Sequence, residues 1–378
     1  MTMIPHQAPD SAPSDSGAGV IPDESSFEQK ETAGLSQGQI VRKRFLRHKG
    51  AMISLVVLAL VILLAATSIG WGPIPGWWKW AYSQTSDGGL PGGVSTLSIP
   101  PFADHWAWGD HPFGQDETGL DMFAATMRGT QQTLVVIVVL GILATTIGTV
   151  IGAVAGYYRG WVDSVLMRFT DLIITLPIIL ITAVAGFVFG VRGIWPVALA
   201  LGLLSWTGLA RLVRGEFLWL REREFVDAAR VAGASDMRII FKHILPNTVG
   251  VIVVNTTLLM GGGILTEAAL SFLGFGIQFP DQSLGSLISA FAQSFQTRPW
   301  LFLWPGVFII IIVLAINFIG DGLRDAFDPR QKRIPKRKDL EFAAGTGVSS
   351  LPAAAGAGDP GLLSGGDRPT VAPPEDKV

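Results

Sequence analysis

EFLWLREREFVDAARVAGASDMRIIFKHILPN, residues Glu216 to Asn247, is a long, densely charged stretch caught between two strongly apolar ones. It must lie in water while its neighbours do not. Ala228, Ala229 and Ala232 are good helix formers and, with Val231, supply a small apolar face. Gly233 halts that helix where a left-handed cap is cheap, and Ser235 stands where it can cap a second short helix. The second helix is expected to end at Leu245 and Pro246, because proline has no amide to lose at the start of the next one.

The apolar neighbours decide the class. The chain has 378 residues, 49% hydrophobic and only 15% charged, whereas a soluble domain carries about a quarter charged. An integral membrane protein follows. A formal net charge of -2 argues against nucleic acid as a partner. With no cysteine there is no disulfide framework, thiolate metal site or cysteine nucleophile.

Six apolar runs are long enough to cross a hydrocarbon core, which takes roughly 20 helical residues: about 51–70, 133–158, 172–191, 193–210, 248–266 continuing past Glu267, and 300–320. Backbone polar groups cannot stay open in lipid, so each run is expected to be helical. Basic residues cluster before the first run (Arg42, Lys43, Arg44, Arg47, Lys49), in the central stretch, and after the last (Arg324 through Lys338). The segment from Trp71 to Arg128 has only Lys79 and Arg128. The positive-inside rule therefore puts both termini and the central stretch in the cytoplasm.

The outer segment carries Trp71, Trp77, Trp78, Trp80, Trp106 and Trp108 among glycines and prolines, which reads as a loop anchored at the membrane interface rather than a sugar- or peptide-stacking platform. His105 and His111 lie beside Asp104 and Asp110, but no third histidine or cysteine completes a metal set, and no metal site is assigned. Gly148, Gly152 and Gly156 fall at four-residue steps on one helical face and let another helix pack backbone to backbone. Pro177 frees a carbonyl inside the third run and is expected to kink it. Glu267 lies near membrane depth, where an acid faces protein or water; its two readings are a buried hydrogen-bonding role that holds the turn from Leu270 to Gly276 and a place on a translocation path.

The central stretch resembles the EAA loop of bacterial ABC importer permeases: an acid, two alanines, a glycine four positions on, and a Leu-Pro about a dozen residues later. Here these are Asp227, Ala228, Ala229, Gly233, Leu245 and Pro246. Asp227 stands where that motif has glutamate, and His243 where an aliphatic residue is common. The stretch HPFGQDETGLDMFAATMRGTQQTL from His111 to Leu134, DLIITLPIILI around Pro177, TEAALSFLGFG after Thr266, the Pro280 to Gly285 stretch and NFIGDGLRDAFDPR from Asn317 are similar to the dipeptide/oligopeptide/nickel branch of that family. Leu120 replaces the branch's usual arginine there.

The resemblance covers about Val41 to Lys338. It implies an all-α integral membrane protein with six transmembrane helices of the type I ABC importer permease (MetI-like) architecture. The organisation expected is a disordered cytoplasmic tail at 1–40, the first transmembrane helix and a long extracytoplasmic segment at 41–130, a five-helix core at 131–325 with the coupling loop at 216–247, and a cytoplasmic C-terminal tail at 326–378, disordered from about residue 342. The implied function is the permease subunit of an ATP-driven peptide importer in the bacterial inner membrane. Nickel chelates, glutathione and oligosaccharides are alternative substrates.

The resemblance further implies a homologous second permease, two ATP-binding cassette subunits, an extracytoplasmic substrate-binding lipoprotein and surrounding membrane lipid. ATP and magnesium would belong to the ATPase subunits, because this chain has no glycine-rich loop ending in Gly-Lys-Ser or Gly-Lys-Thr. No catalytic residue is assigned: nothing pairs a nucleophile with a base at one membrane depth. A stand-alone secondary transporter or channel is the alternative from another class. It would need coupling groups beyond the lone Glu267.

Overall fold

The computed structural model describes residues 37–83, 93–97, 107–189, 193–278 and 281–328. Of the expected tails at 1–40 and 326–378, residues 1–36 and 329–378, together with Asp104, His105, Trp106 and Pro280, lie outside the described residues; residues 37–40, expected to be disordered, instead open a helix. What is described is helical: α1 (Gln37–Arg47), α2 (Lys49–Ser68), α3 (Met122–Tyr158), α4 (Gly160–Ile174), α5 (Ile178–Phe189), α6 (Ile194–Leu204), α7 (Thr207–Leu220), α8 (Glu224–Val231), α9 (Asp236–Phe272), α10 (Leu284–Phe291) and α11 (Pro299–Phe327). Two isolated β-bridges, Trp71 with Ile74 and Gln115 with Asp121, pin loops outside the bundle.

Five helical stretches are long and apolar enough to cross a membrane: Lys49–Ser68, Met122–Tyr158, Ile194–Leu220, Asp236–Phe272 and Pro299–Phe327. Between 28% and 50% of each spanning window is buried inside the chain. Much of the apolar surface therefore faces outward, as in Ile53, Leu60, Leu63, Ile142 and Trp195, and only lipid or a partner subunit would cover it.

The third apolar run makes a sixth crossing only as a bent pair, α4 and α5 meeting at 75°. Pro177 sits at the break. It has no amide to continue the ladder, and it disfavours helical backbone at Leu176 before it. The sequence places a kink inside one helix, and the backbone makes a corner instead. The fourth run also departs from its expected end: after a short break at Ser205 and Trp206, α7 carries the helix to Leu220, past the expected limit at Ala210. Its charged turns are tied down by Arg211 on Asp171 and by Arg214 on Asp163 at 2.5 and 2.6 Å.

The glycine face of α3 meets α7. A Cβ on Gly152 would stand 2.5 Å from the carbonyl oxygen of Ala210, and one on Gly156 would stand 2.6 Å from Cβ of Phe217 and 2.8 Å from the Arg214 carbonyl. These contacts are to backbone or Cβ, so nothing flexible can give way. α11 lies across α9 and α2, and α10 is wedged between α3, α9 and α11.

Asp121 organises the outer segment. Fully buried, it caps α3 by accepting from the Ala124 amide at 2.8 Å, takes the Trp78 indole N–H at 3.0 Å and lies 2.7 Å from His111 Nδ1. Trp80 stacks on His111. Trp78 thus spends its polar edge on a buried carboxylate, whereas Trp77 is exposed. Leu120, in the place of the branch's arginine, packs on the core cluster formed by Phe113, Phe123 and Leu301. On the rim, the Lys79 ammonium beside Asp110, 2.6 Å away, holds that carboxyl below the usual carboxylate range.

Candidate functional site

The charged stretch folds as a surface nailed to the ends of α3 and α7. Val226, Ile239, Ile240 and Ile244 are buried against Tyr157, Val213, Phe217 and Leu220. The Tyr157 hydroxyl donates to Asp236 at 2.6 Å, and the Arg221 guanidinium donates to the Tyr157 carbonyl that α3 leaves open at its end. Arg159 links to Glu222 at 2.6 Å and to the Leu218 carbonyl at 3.3 Å. Among the described residues it is the one non-glycine at positive φ, 58°, which marks a tight turn between α3 and α4. With its inner side fixed, the stretch presents its outer side outward.

That outer side carries most of the motif. Asp227 and Ala228 are exposed, Ala229 is half-buried, and Gly233 is exposed at φ +80° with nothing within 4 Å of where a Cβ would be. The helix ends in a paired motif: the Gly233 amide donates to Arg230 at 3.0 Å and the Ala234 amide reaches back to Ala229 at 3.0 Å. Only a residue tolerant of the left-handed region closes both bonds without strain. Asp227 pairs with Arg230 at 3.0 Å along α8. Val231, Met237 and Phe241 stand exposed beside it, Val231 at 90%. Such apolar side chains on a water-facing loop mark a contact surface.

Two expectations fail here. Ser235 sits at the start of the next helix, but its side chain makes no capping bond. The helix also does not stop at Leu245 and Pro246: α9 runs unbroken through them, 37 residues from Asp236 to Phe272. A π-helical turn over Ile239–Ile244 explains this. It lets the Leu245 amide reach the Ile240 carbonyl, and the Asn247 side chain donates to the His243 carbonyl at 2.6 Å. The missing proline amide is thereby absorbed within the helix. Leu245 is half-buried and Pro246 exposed on the first turn of the membrane-spanning part.

Glu267 lies far along the same helix, with no exposed surface. Ser271 Oγ donates to its carboxylate at 2.7 Å and Thr133 Oγ1 lies 3.4 Å from the other oxygen. Ser283 Oγ donates to Ser271 at 3.2 Å, the Leu284 amide approaches Thr133 at 3.4 Å, and the Ile277 amide approaches Ser271 at 3.3 Å. The acid therefore ties together α3, α9 and the first turn of α10, including the turn after Leu270. Its partner Ser271 lines a cleft of about 620 Å³ together with Asp281, Gln282 and Ser286.

Removing that hub has a clear expected cost. Glu267→Leu strands several buried donors, each worth about 1–3 kcal/mol, so detergent-solubilised protein should melt well below the native chain. Glu267→Gln keeps one acceptor oxygen and replaces the other with an NH2 that the neighbouring hydroxyls can accept from, and should lose less than half as much. Equal melting temperatures for the leucine variant and the native chain would show that the network carries no stability.

The sequence pattern points to the motif, but not to the residues that hold it. Tyr157 lies 79 positions from Asp236, Arg159 lies 59 and 63 from Leu218 and Glu222, and Arg221 lies 64 from Tyr157. No local spacing signals those pairs.

Residues 148–333 match the family model described as binding-protein-dependent transport system inner membrane component. Residues 36–88 match the N-terminal TM domain of oligopeptide transport permease C. The chain is 36% identical over 306 residues to the oligopeptide transport system permease protein OppC of Haemophilus influenzae, spanning 81% of this chain and 93% of that protein. It is 36% identical over 300 residues to the OppC protein of Mycobacterium tuberculosis, spanning 79% of this chain and 97% of that one. A solved chain of the MetNI methionine ABC transporter, inward facing, superposes with a TM-score of 0.47 at 20% identity over 55% of this chain and 98% of that one.

Proposed function

Because the chain belongs to the family of binding-protein-dependent transport system inner membrane components, we propose that it is the permease subunit of an ATP-driven peptide importer, worked from outside the membrane through α8 and Gly233. The observation that carries the coupling role is the exposed, glycine-capped end of α8, anchored from beneath by Tyr157, Phe217 and Ile239. A partner's surface can approach the Gly233 backbone closely, and a push there passes to α3, α7 and α9 as one body. Peptide is the favoured substrate, in line with the names of the relatives above.

The chain hydrolyses nothing itself. ATP and magnesium act on two partner ATPase subunits beneath α8, a second homologous permease completes the pathway, and a lipoprotein delivers substrate at the opposite face. Both termini and α8 face the cytoplasm, following the basic residues around α1 and α7. Closing of the ATPases on ATP moves α8 and turns the cavity between the two permeases outward. The burial of Glu267 supports this reading over ion-driven transport, since its carboxylate is already held by Ser271 and Thr133.

Affinity purification of the intact chain from mild detergent tests the assembly. A second permease and ATP-binding cassette subunits should copurify in stoichiometric amounts, with ATPase activity in the pool. A chain that purifies alone and shows no response to nucleotide would overturn the importer reading.

A further inference from the structure

We propose that the α1 end of the bundle carries a binding site for one anionic phospholipid, its phosphate held by arginines of α1 and α11 and an acyl chain lying between α9 and α11. The helix α1 runs into the membrane-spanning α2 with a single-residue break at His48, so chain continuity keeps it at the lipid surface. Its side chains fit that place. Arg42 and Arg44 are exposed, and between them and the span stands Leu46, 50% exposed. The outward apolar stripe of α2 at Ile53, Leu60 and Leu63 follows in the chain. An apolar side chain among arginines beside a lipid-facing stripe is the pattern of an interfacial basic helix.

A groove begins where this helix touches α11. It has a volume of about 420 Å³ and is walled by Leu212, Val251, Val254 and Leu258, with Arg324 and Asp328 at its polar end. Arg44 donates to the Asp328 carbonyl at 2.9 Å, which places the α1 guanidinium at the mouth of the groove. The acids nearby do not cancel the charge. Asp325 lies 3.4 Å from His48 Nε2, and with Lys43 and Arg47 set aside because they have partners of their own, Asp321, Asp325 and Asp328 stand against Arg42, Arg44, Lys49 and Arg324. A polar mouth with excess positive charge above an apolar trough matches a phospholipid with an anionic head. A zwitterionic lipid offers the trough the same chains but the mouth no net charge.

The leaflet, though not the site, rests on the orientation proposed above: α1 in the cytoplasm places the lipid in the inner leaflet. The full chain, purified in mild detergent with equimolar phosphatidylglycerol and phosphatidylcholine, is read by native mass spectrometry. One retained phosphatidylglycerol should predominate. Arg42→Gln, Arg44→Gln and Arg324→Gln should each lower the preference about fivefold, the Boltzmann factor of one basic side chain at an anionic surface, while Lys79→Gln at the opposite end leaves it unchanged. Equal retention of the two lipids, or a preference indifferent to the three arginines, would overturn the proposal. Because the native chain has no cysteine, Gly38→Cys can be labelled alone with an impermeant reagent in vesicles of known sidedness. Gly38 is exposed with open space around it. Labelling from the cytoplasmic side supports the inner leaflet; labelling only from outside overturns that leaflet and the orientation, independently of the lipid ratio.

Discussion

Gly233→Val should leave the chain inserted and folded but abolish most ATP-driven transport. Position 233 sits at φ +80°, a region that costs a non-glycine residue about 1–3 kcal/mol and a β-branched one more. No atom lies within 4 Å of the added Cβ, so no clash contributes and the whole effect is backbone. Valine relieves the strain by leaving the left-handed region. The bonds from Gly233 to Arg230 and from Ala234 to Ala229 are then lost, and the end of α8 changes shape. Peptide uptake into proteoliposomes of the whole complex should fall more than tenfold, together with copurifying ATPase. Gly233→Asn separates two causes, because asparagine tolerates this conformation. Recovery with asparagine means that the cap geometry is what matters; failure with both means that a partner needs the bare backbone. Full transport by the valine variant would sink the coupling role of this position.

A larger loss, of a different kind, is expected from Gly152→Val. Its Cβ would stand 2.5 Å from the Ala210 carbonyl oxygen and 2.8 Å from Cβ of Val213, so α3 and α7 must separate along their length. Overpacking of this sort costs about 3 kcal/mol or more, and here it strikes the helix pair that also anchors α8. Folded, monodisperse protein should nearly vanish from detergent extracts. Gly262→Ala is the control: it lies in α9 with nothing within 4 Å of a new Cβ, and alanine is the better helix former by about 1 kcal/mol, so its yield should match or exceed the native one. A native-like yield for Gly152→Val would mean that the close approach of α3 and α7 is dispensable.

Those two glycines show what the sequence made legible. The four-residue step of Gly148, Gly152 and Gly156 predicts a close helix contact, and the stop at Gly233 predicts a left-handed cap; both depend on local chain rules and both hold. Local rules fail where the chain supplies a non-local remedy. Pro246 signals a helix start, but the turn before it widens and Asn247 fills in, so α9 continues. Pro177 signals a kink, yet packing of α4 against α7 and of α5 against α6 lets the corner reach 75°. The role of Asp121 was hidden for another reason. It satisfies partners 10 and 43 residues away, and no periodicity in a loop connects them.

The length of α9 has a mechanical meaning. Its 37 residues span about 55 Å at 1.5 Å per residue, with Asp236 hooked to Tyr157 at one end and Glu267 bound to Thr133 near the other. Both hooks grip the same helix, α3, and the rod between them has no proline-broken hinge. A lever pinned twice to one beam cannot rock against that beam without releasing a pin. Under the proposed coupling, force entering at Asp236 would swing α3 and α9 together as one arm, and a tilt of about 10° would carry the far end of that arm through roughly 10 Å, the product of angle and helix length.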